Sequence, residues 1–316
     1  MGREQSGLIQ SGFSFAGLPS SSQDKNSSRY VILPVPYEAT TEWLAGTRHG
    51  PSSIIDSSRL LELYDHVLDT DVSQAGIYTA EEMPPDMRGP ESMVEKVTAE
   101  VGQWVDAGKV PVLLGGEHTI SIGAVRALAA RHADLSVLQL DAHADLRDDY
   151  LGARVSQATV MRRIRETCPA VQIGVRALSG AERDLISSES LPVVFWPPKG
   201  AASEWLPPAL SHLTDSVYIT IDADVFDSAI LPWVGTPEPG GLTWDDVWLV
   251  LESVARTRTI VGFDIVEFCP RATGAASSAY MLAKLAYRLI GYSWLHSQHR
   301  ESSNDTRAQH TEQEAY

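Results

Sequence analysis

Cysteine is nearly absent from this chain: Cys168 and Cys269 stand alone and far apart, with no CxxC pair. That spacing excludes a disulfide framework and a thiolate metal site, and it fits a reducing compartment. Long apolar runs are missing too, and none approaches the roughly 20 residues of a membrane span. Basic residues are scarce, 25 Lys and Arg against 41 Asp and Glu, for a formal net charge of -16. Such a surface argues against binding a nucleic-acid phosphate backbone and is compatible with a small cationic substrate. The first 28 residues, rich in Ser, Gly and Gln, lack the charged-then-apolar pattern of an export signal. The expectation is a cytoplasmic protein.

What is present is ordinary globular composition, 316 residues with 43% hydrophobic and 21% charged, enough for a large single core. β-Branched runs such as Tyr30-Val31-Ile32-Leu33-Pro34-Val35, Val171-Gln172-Ile173-Gly174-Val175 and Ile260-Val261-Gly262-Phe263 read as buried strands. Amphipathic helices separate them, the clearest from Glu91 to Ala107 with Met93, Val94, Val97, Val101 and Trp104 on one face. Thr119 reads as an N-cap for a helix from Ile120, and Thr243 with Asp246 as a capping box. Alternating strands and helices imply one α/β domain, three layers deep, around a mostly parallel doubly wound sheet. The expected organisation is a flexible arm at 1–28, the domain at 29–296 and a polar, disordered tail at 297–316.

The chemistry concentrates at strand ends. Ser136-Val137-Leu138-Gln139-Leu140 runs into Asp141-Ala142-His143-Ala144-Asp145. Residues two apart on an extended chain point the same way, so Asp141, His143 and Asp145 can converge. A lone DxHxD also fits a solvated acidic turn, but the pattern recurs. Val217-Tyr218-Ile219-Thr220-Ile221 ends in Asp222-Ala223-Asp224, followed by Asp227, and Val110-Pro111-Val112-Leu113-Leu114 breaks at Gly115-Gly116 before Glu117-His118. In open parallel sheets that carboxyl edge is where ligands bind. His118, Asp141, His143, Asp145, Asp222 and Asp224 exceed the needs of one ion and suit two divalent ions sharing carboxylates. Asp145 can orient a water and take its proton. Glu267 ends its own strand, where a carboxylate can pair bidentately with a planar guanidinium; the competing reading is an exposed capping acid.

Four motifs in order, Gly115-Gly116-Glu117-His118, Asp141-Ala142-His143-Ala144-Asp145, Ile221-Asp222-Ala223-Asp224 with Gly235-Thr236-Pro237-Glu238-Pro239-Gly240-Gly241, and Asp264-Ile265-Val266-Glu267, resemble the arginase/agmatinase (ureohydrolase) family. The similarity runs from about Tyr30 to Leu295. It implies an α/β/α fold and a dimanganese centre that hydrolyses a guanidino group to urea and an amine, in a trimer or hexamer. By position, His118, Asp141 and Asp145 would hold one ion, and Asp141, His143, Asp222 and Asp224 the other, with Asp222 bridging. Glu267 would grip the guanidinium and Thr236 would lie near the leaving group. The loops are closer to the agmatinase branch, which includes the aminopropylagmatine ureohydrolases, than to arginases.

The chain departs from that pattern around the substrate. Ser156-Gln157-Ala158-Thr159 has Gln where the family carries a proton-shuttling His. A carboxamide exchanges hydrogen bonds but does not carry a proton near pH 7, so Gln157 is expected to contact substrate and slow turnover. Trp233 replaces a small residue and is expected to narrow the mouth or offer a cation–π face. Ser228 stands where Pro is common. These changes leave three readings: an active ureohydrolase with altered preference, a catalytically impaired, metal-binding paralogue serving as a structural or regulatory subunit, or other metallohydrolase chemistry such as a formimino or amide substrate.

Overall fold

A computed structural model describes residues 13–271 and 273–313. In chain order the elements are β1 (Tyr30–Val35), α1 (Gly50–Ser58), β2 (Tyr64–Asp65), β3 (Thr70–Asp71), β4 (Ile77–Thr79), α2 (Pro90–Asp106), β5 (Val110–Gly115), α3 (Ile120–Ala129) and β6 (Leu135–Leu140). Then follow α4 (Val160–Arg165), β7 (Ala170–Val175), α5 (Gly180–Ser188), β8 (Val193–Phe195), α6 (Ala202–Leu210), β9 (Ser216–Asp222), α7 (Trp244–Thr257), β10 (Thr259–Val266) and α8 (Ala276–Gln313).

Eight strands form one sheet in the order β4-β1-β5-β10-β9-β6-β7-β8, and every pairing in it is parallel. A parallel sheet must be covered on both faces, and period-2 alternation divides each strand between two cores. Tyr30, Ile32, Val112, Leu114, Val217 and Ile219 face one core, completed by α1, α6, α7 and α8. Val31, Leu33, Val35, Leu113 and Tyr218 face the other, completed by α2, α3, α4 and α5. The three-layer α/β/α architecture is therefore the one expected. β2 and β3 pair only with each other. Among the described residues no helix is long and apolar enough to cross a membrane.

Three local expectations need correction. Residues 13–28 are packed rather than loose: Phe15 is fully buried, with its ring 6.5 Å from that of Tyr287. The Phe15 N–H donates to Thr79 Oγ1 at 2.9 Å and the Ala16 N–H to Ser58 Oγ at 2.8 Å. The rest of the expected arm, 1–12, lies outside the described residues. At the other end α8 passes the boundary expected at 296 and runs to Gln313. Polar as that stretch is, it holds no Pro or Gly to stop a helix. Thr119 does not cap α3; its backbone is already helical and its hydroxyl donates to Glu117 at 2.8 Å. The Thr243–Asp246 capping box is present.

Candidate metal centre

The sheet order sets the site. β5, β10, β9 and β6 are consecutive neighbours, so the residues following their carboxyl ends meet above the middle of the sheet. Gly116 makes the first turn possible: a Cβ there would lie 2.0 Å from the Tyr37 carbonyl oxygen. Glu117, fully buried, fastens the neighbouring loop. One of its oxygens accepts the Ala39 and Thr40 N–H groups at 2.7 Å each, and the other accepts the hydroxyls of Thr40 and Thr119. Asp145 and Glu267 have positive φ, 51° and 61°, a left-handed conformation uncommon outside Gly and often found where function demands it.

The two aspartate loops share one device. The Asp141 Oδ1 accepts the His143 N–H at 2.6 Å, and the Asp222 Oδ1 accepts the Asp224 N–H at 2.9 Å. Each Asx turn occupies Oδ1, and Oδ2 points at His118. The His118 Nδ1 lies 3.2 Å from Asp141 Oδ2, 3.2 Å from Asp145 Oδ2 and 3.3 Å from Asp222 Oδ2. It is buried, and none of these approaches is a hydrogen bond. Beside it, His143 Nδ1 lies 2.9 Å from Asp224 Oδ2 and 3.7 Å from Asp141 Oδ1. His118, Asp141 and Asp145 thus form one group able to hold a cation, and Asp141, His143 and Asp224 a second. Asp141 belongs to both.

A metal pair fits these residues. An orphaned imidazole nitrogen facing three carboxylate oxygens is a poor arrangement without a cation, and nitrogen with oxygen donors suits borderline or hard divalent ions. The electrostatics agree. Burial pushes the His118 pKa down, but Asp141, Asp145 and Asp222 outweigh it and hold it well above 6.5. His143 is also raised, burial opposing and Asp224 and Asp141 prevailing. Burial, then the Asp141 charge, pushes Asp145 up to about 7. Burial also raises Asp222 and Glu267, with Asp224 and Glu117 as the largest added charges respectively. Asp141 moves the other way, below the usual carboxylate range, because both imidazoles outweigh its burial. Protons occupy places that cations would take.

A cleft of about 240 Å³ opens above this floor, and Gln157, Thr236 and Glu267 line it with His118, His143 and Asp145. The Glu267 Oε1 accepts the His118 N–H at 2.7 Å. The Gln157 N–H donates to Thr40 Oγ1 at 3.1 Å, so the Glu117 clamp also places Gln157. The Thr236 hydroxyl is 3.4 Å from Asp224 Oδ2. Trp233 is the exception. It is not among the residues lining the cleft but packs half-buried against the core, and a Cβ on Gly274 would lie 3.1 Å from its ring. At the mouth the Tyr150 hydroxyl bonds Glu42.

Sequence reasoning missed a support beneath Asp141. The Gln139 Nε2 donates to Asp141 Oδ2 at 2.6 Å, and the Gln172 Nε2 donates to Gln139 Oε1 at 2.6 Å and to the Ala144 carbonyl at 2.7 Å. The available signal was a carboxamide inside each of two buried, mostly apolar strands.

Fold and site together define a parallel α/β protein with an acid and imidazole centre in which two groups of residues are able to hold a cation. A family model described as the Arginase family matches residues 28–291, and the chain belongs to that family. It is 38% identical over 280 residues to an N(1)-aminopropylagmatine ureohydrolase of Synechocystis, covering 86% of this chain and 90% of that one. An agmatinase of Pyrococcus horikoshii is 33% identical over 273 residues, 85% of this chain and 94% of its own. Among solved structures, the agmatine ureohydrolase of Thermoplasma volcanium superposes with a TM-score of 0.82 at 27% identity, covering 92% of this chain and 97% of its own.

Proposed function

We propose that this chain is an agmatinase-like ureohydrolase, a cytoplasmic homo-oligomer of three or six copies that uses two Mn2+ ions. It would cleave a small cationic guanidine of the agmatine or aminopropylagmatine type to urea and an amine. The observation that carries the reading is the buried His118 Nδ1, unbonded and ringed by three carboxylate oxygens on the floor of a cleft. His118, Asp141 and Asp145 would hold one ion, and Asp141, His143, Asp222 and Asp224 would hold the other. The bound pair supplies Lewis acidity and lowers the pKa of water at the floor.

The chain's own groups do the rest. Glu267 pairs with the guanidinium and turns its carbon toward the floor. Asp145 orients the attacking water and takes its proton. Water adds to the guanidinium carbon, the carbon–nitrogen bond breaks, and the proton held by Asp145 passes to the departing amine. Thr236 lies beside that amine. Gln157 steadies the substrate by hydrogen bonds and moves no proton.

The substrate class follows from charge. Among the described residues Arg147 is the single Lys or Arg lining the cleft, against Glu42, Asp145, Glu182, Asp222, Glu238 and Glu267. Arg147 is already stacked 4.9 Å over the Tyr150 ring. Such a lining favours a second ammonium over an α-carboxylate. The test is urea release by Mn2+-loaded protein across agmatine, aminopropylagmatine, arginine, guanidinobutyrate and guanidine. Turnover of the first two above the rest is the expected result; arginine ranking first would refute the substrate class. The position of Gln157 on the cleft wall also favours a second reading, a metal-binding subunit with impaired catalysis. Two metals per chain with no urea from any of the five would select it.

A further inference from the structure

Behind the His118 ring, on the side away from the cleft, lies a buried polar chain that the mechanism above does not use. Thr220 on β9 and Asp264 on β10 are register partners. Tyr218, Thr220 and Asp264 are fully buried, in strands whose other residues are mostly apolar. The Tyr218 hydroxyl donates to Asp264 Oδ2 at 2.6 Å and the Thr220 hydroxyl donates to Asp264 Oδ1 at 2.6 Å. The Thr220 Oγ1 also lies 2.8 Å from His118 Nε2. Ser121 Oγ is 3.3 Å from the same hydroxyl oxygen.

Hydrogen accounting gives the chain a direction. A hydroxyl has one hydrogen. Tyr218 and Thr220 each give theirs to Asp264, which accepts at both oxygens. Thr220 can then only accept from the imidazole, so Nε2 keeps its ring hydrogen and Nδ1 is the nitrogen left to give its lone pair to a metal ion among the three carboxylates. We infer that Asp264, acting through Thr220, positions His118 in the tautomer that ligates through Nδ1, with Tyr218 fixing the Asp264 carboxylate. The inference rests on His118 being a metal ligand, as in the function proposed above. It also explains the composition of these strands: Phe, Val and Leu would fill the same space without the cost of burying three polar groups. A partner on the far ring nitrogen typically changes metal affinity by about 10- to 100-fold.

The test is titration of chelator-stripped protein with Mn2+, comparing the parent with Thr220→Ser and Thr220→Val. Val matches Thr in shape and lacks the acceptor; Ser keeps it. The relay requires Thr220→Val to bind one of the two Mn2+ ions about 10- to 100-fold more weakly, with Thr220→Ser near the parent. In Zn2+-loaded protein labelled with 15N-histidine, the His118 Nε2 hydrogen should be visible in the parent and in Thr220→Ser. Parental Mn2+ affinity in Thr220→Val overturns the relay, as does a Thr220→Ser loss equal to that of Thr220→Val. Should Thr220→Val not fold, Asp264→Asn takes its place: Mn2+ binding weakened tenfold or more supports the relay, and parental affinity overturns it. A parent chain that binds no Mn2+ overturns the metal reading and the relay together. A parent that binds two, unaffected by these changes, overturns the relay alone.

Discussion

Loading the centre with divalent ions should expel protons, and the geometry sets how many. In the metal-free chain His118 and His143 are both held above the ordinary imidazole range by the carboxylates around them, against the effect of burial. Each carries a proton at pH 7 that a cation must displace. Asp145, pushed up to about 7 by burial and by the Asp141 charge, is half protonated there. Two imidazole protons, with a further share from Asp145 and from Asp222, which burial and the Asp224 charge also raise, give at least about two protons released per chain at pH 7. The sign follows from the raised pKa values: the competing protons leave as pH rises, so metal binding tightens. At about two protons or more, the apparent constant for the pair changes by at least about 100-fold per pH unit near neutrality. Calorimetric titration with Mn2+ at pH 7, in two buffers of different ionisation enthalpy, counts the protons directly. Release of fewer than one proton per chain, or an affinity flat from pH 6 to 8, would refute this account of the centre's charge.

Gln157→His should raise turnover on a cationic guanidine, by as much as about 10²-fold if the missing proton shuttle limits the rate; a variant no faster than the parent in a urea assay would place the limit elsewhere. Trp233→Gly should leave the ranking of guanidine substrates unchanged, because the ring packs on the core and not in the cleft. Its cost should appear in thermal melting, at less than the about 3–5 kcal/mol of truncating a fully buried Trp. Gly116→Ala should lower the melting temperature and weaken metal binding together. Its Cβ would lie 2.0 Å from the Tyr37 carbonyl, a clash costing about 1–3 kcal/mol or more, and the turn that must yield carries Glu117 and His118.

The strands were legible because parallel-sheet strands are continuous apolar runs, and the ligands were legible because they follow those runs. The structure brings the ends of β5, β6, β9 and β10 together in the way the ligand types implied. What escaped lies where composition misleads. The segment at 13–28 reads as polar linker, yet Phe15, Ala16 and Leu18 are buried on the core. α6 contains Pro207 and Pro208, residues that are unfavourable inside a helix. The Thr119 hydroxyl serves a buried carboxylate distant in pattern from any cap. Trp233 is expected at the mouth because it replaces a small residue in the family pattern, while its ring packs on the core beside Gly274. Gln139, Gln172, Thr220 and Asp264 were visible as polar interruptions in buried strands, but only the third dimension says which ligand each one holds.

The central claim is that four strand ends hold two metal ions, and metal content tests it most directly. Parent, His143→Ala and Asp222→Ala chains, loaded with Mn2+ and dialysed, should be compared by elemental analysis against protein concentration. The account predicts two ions per parent chain and fewer in both variants, with urea release lost in each. Parental metal content in both variants would contradict it.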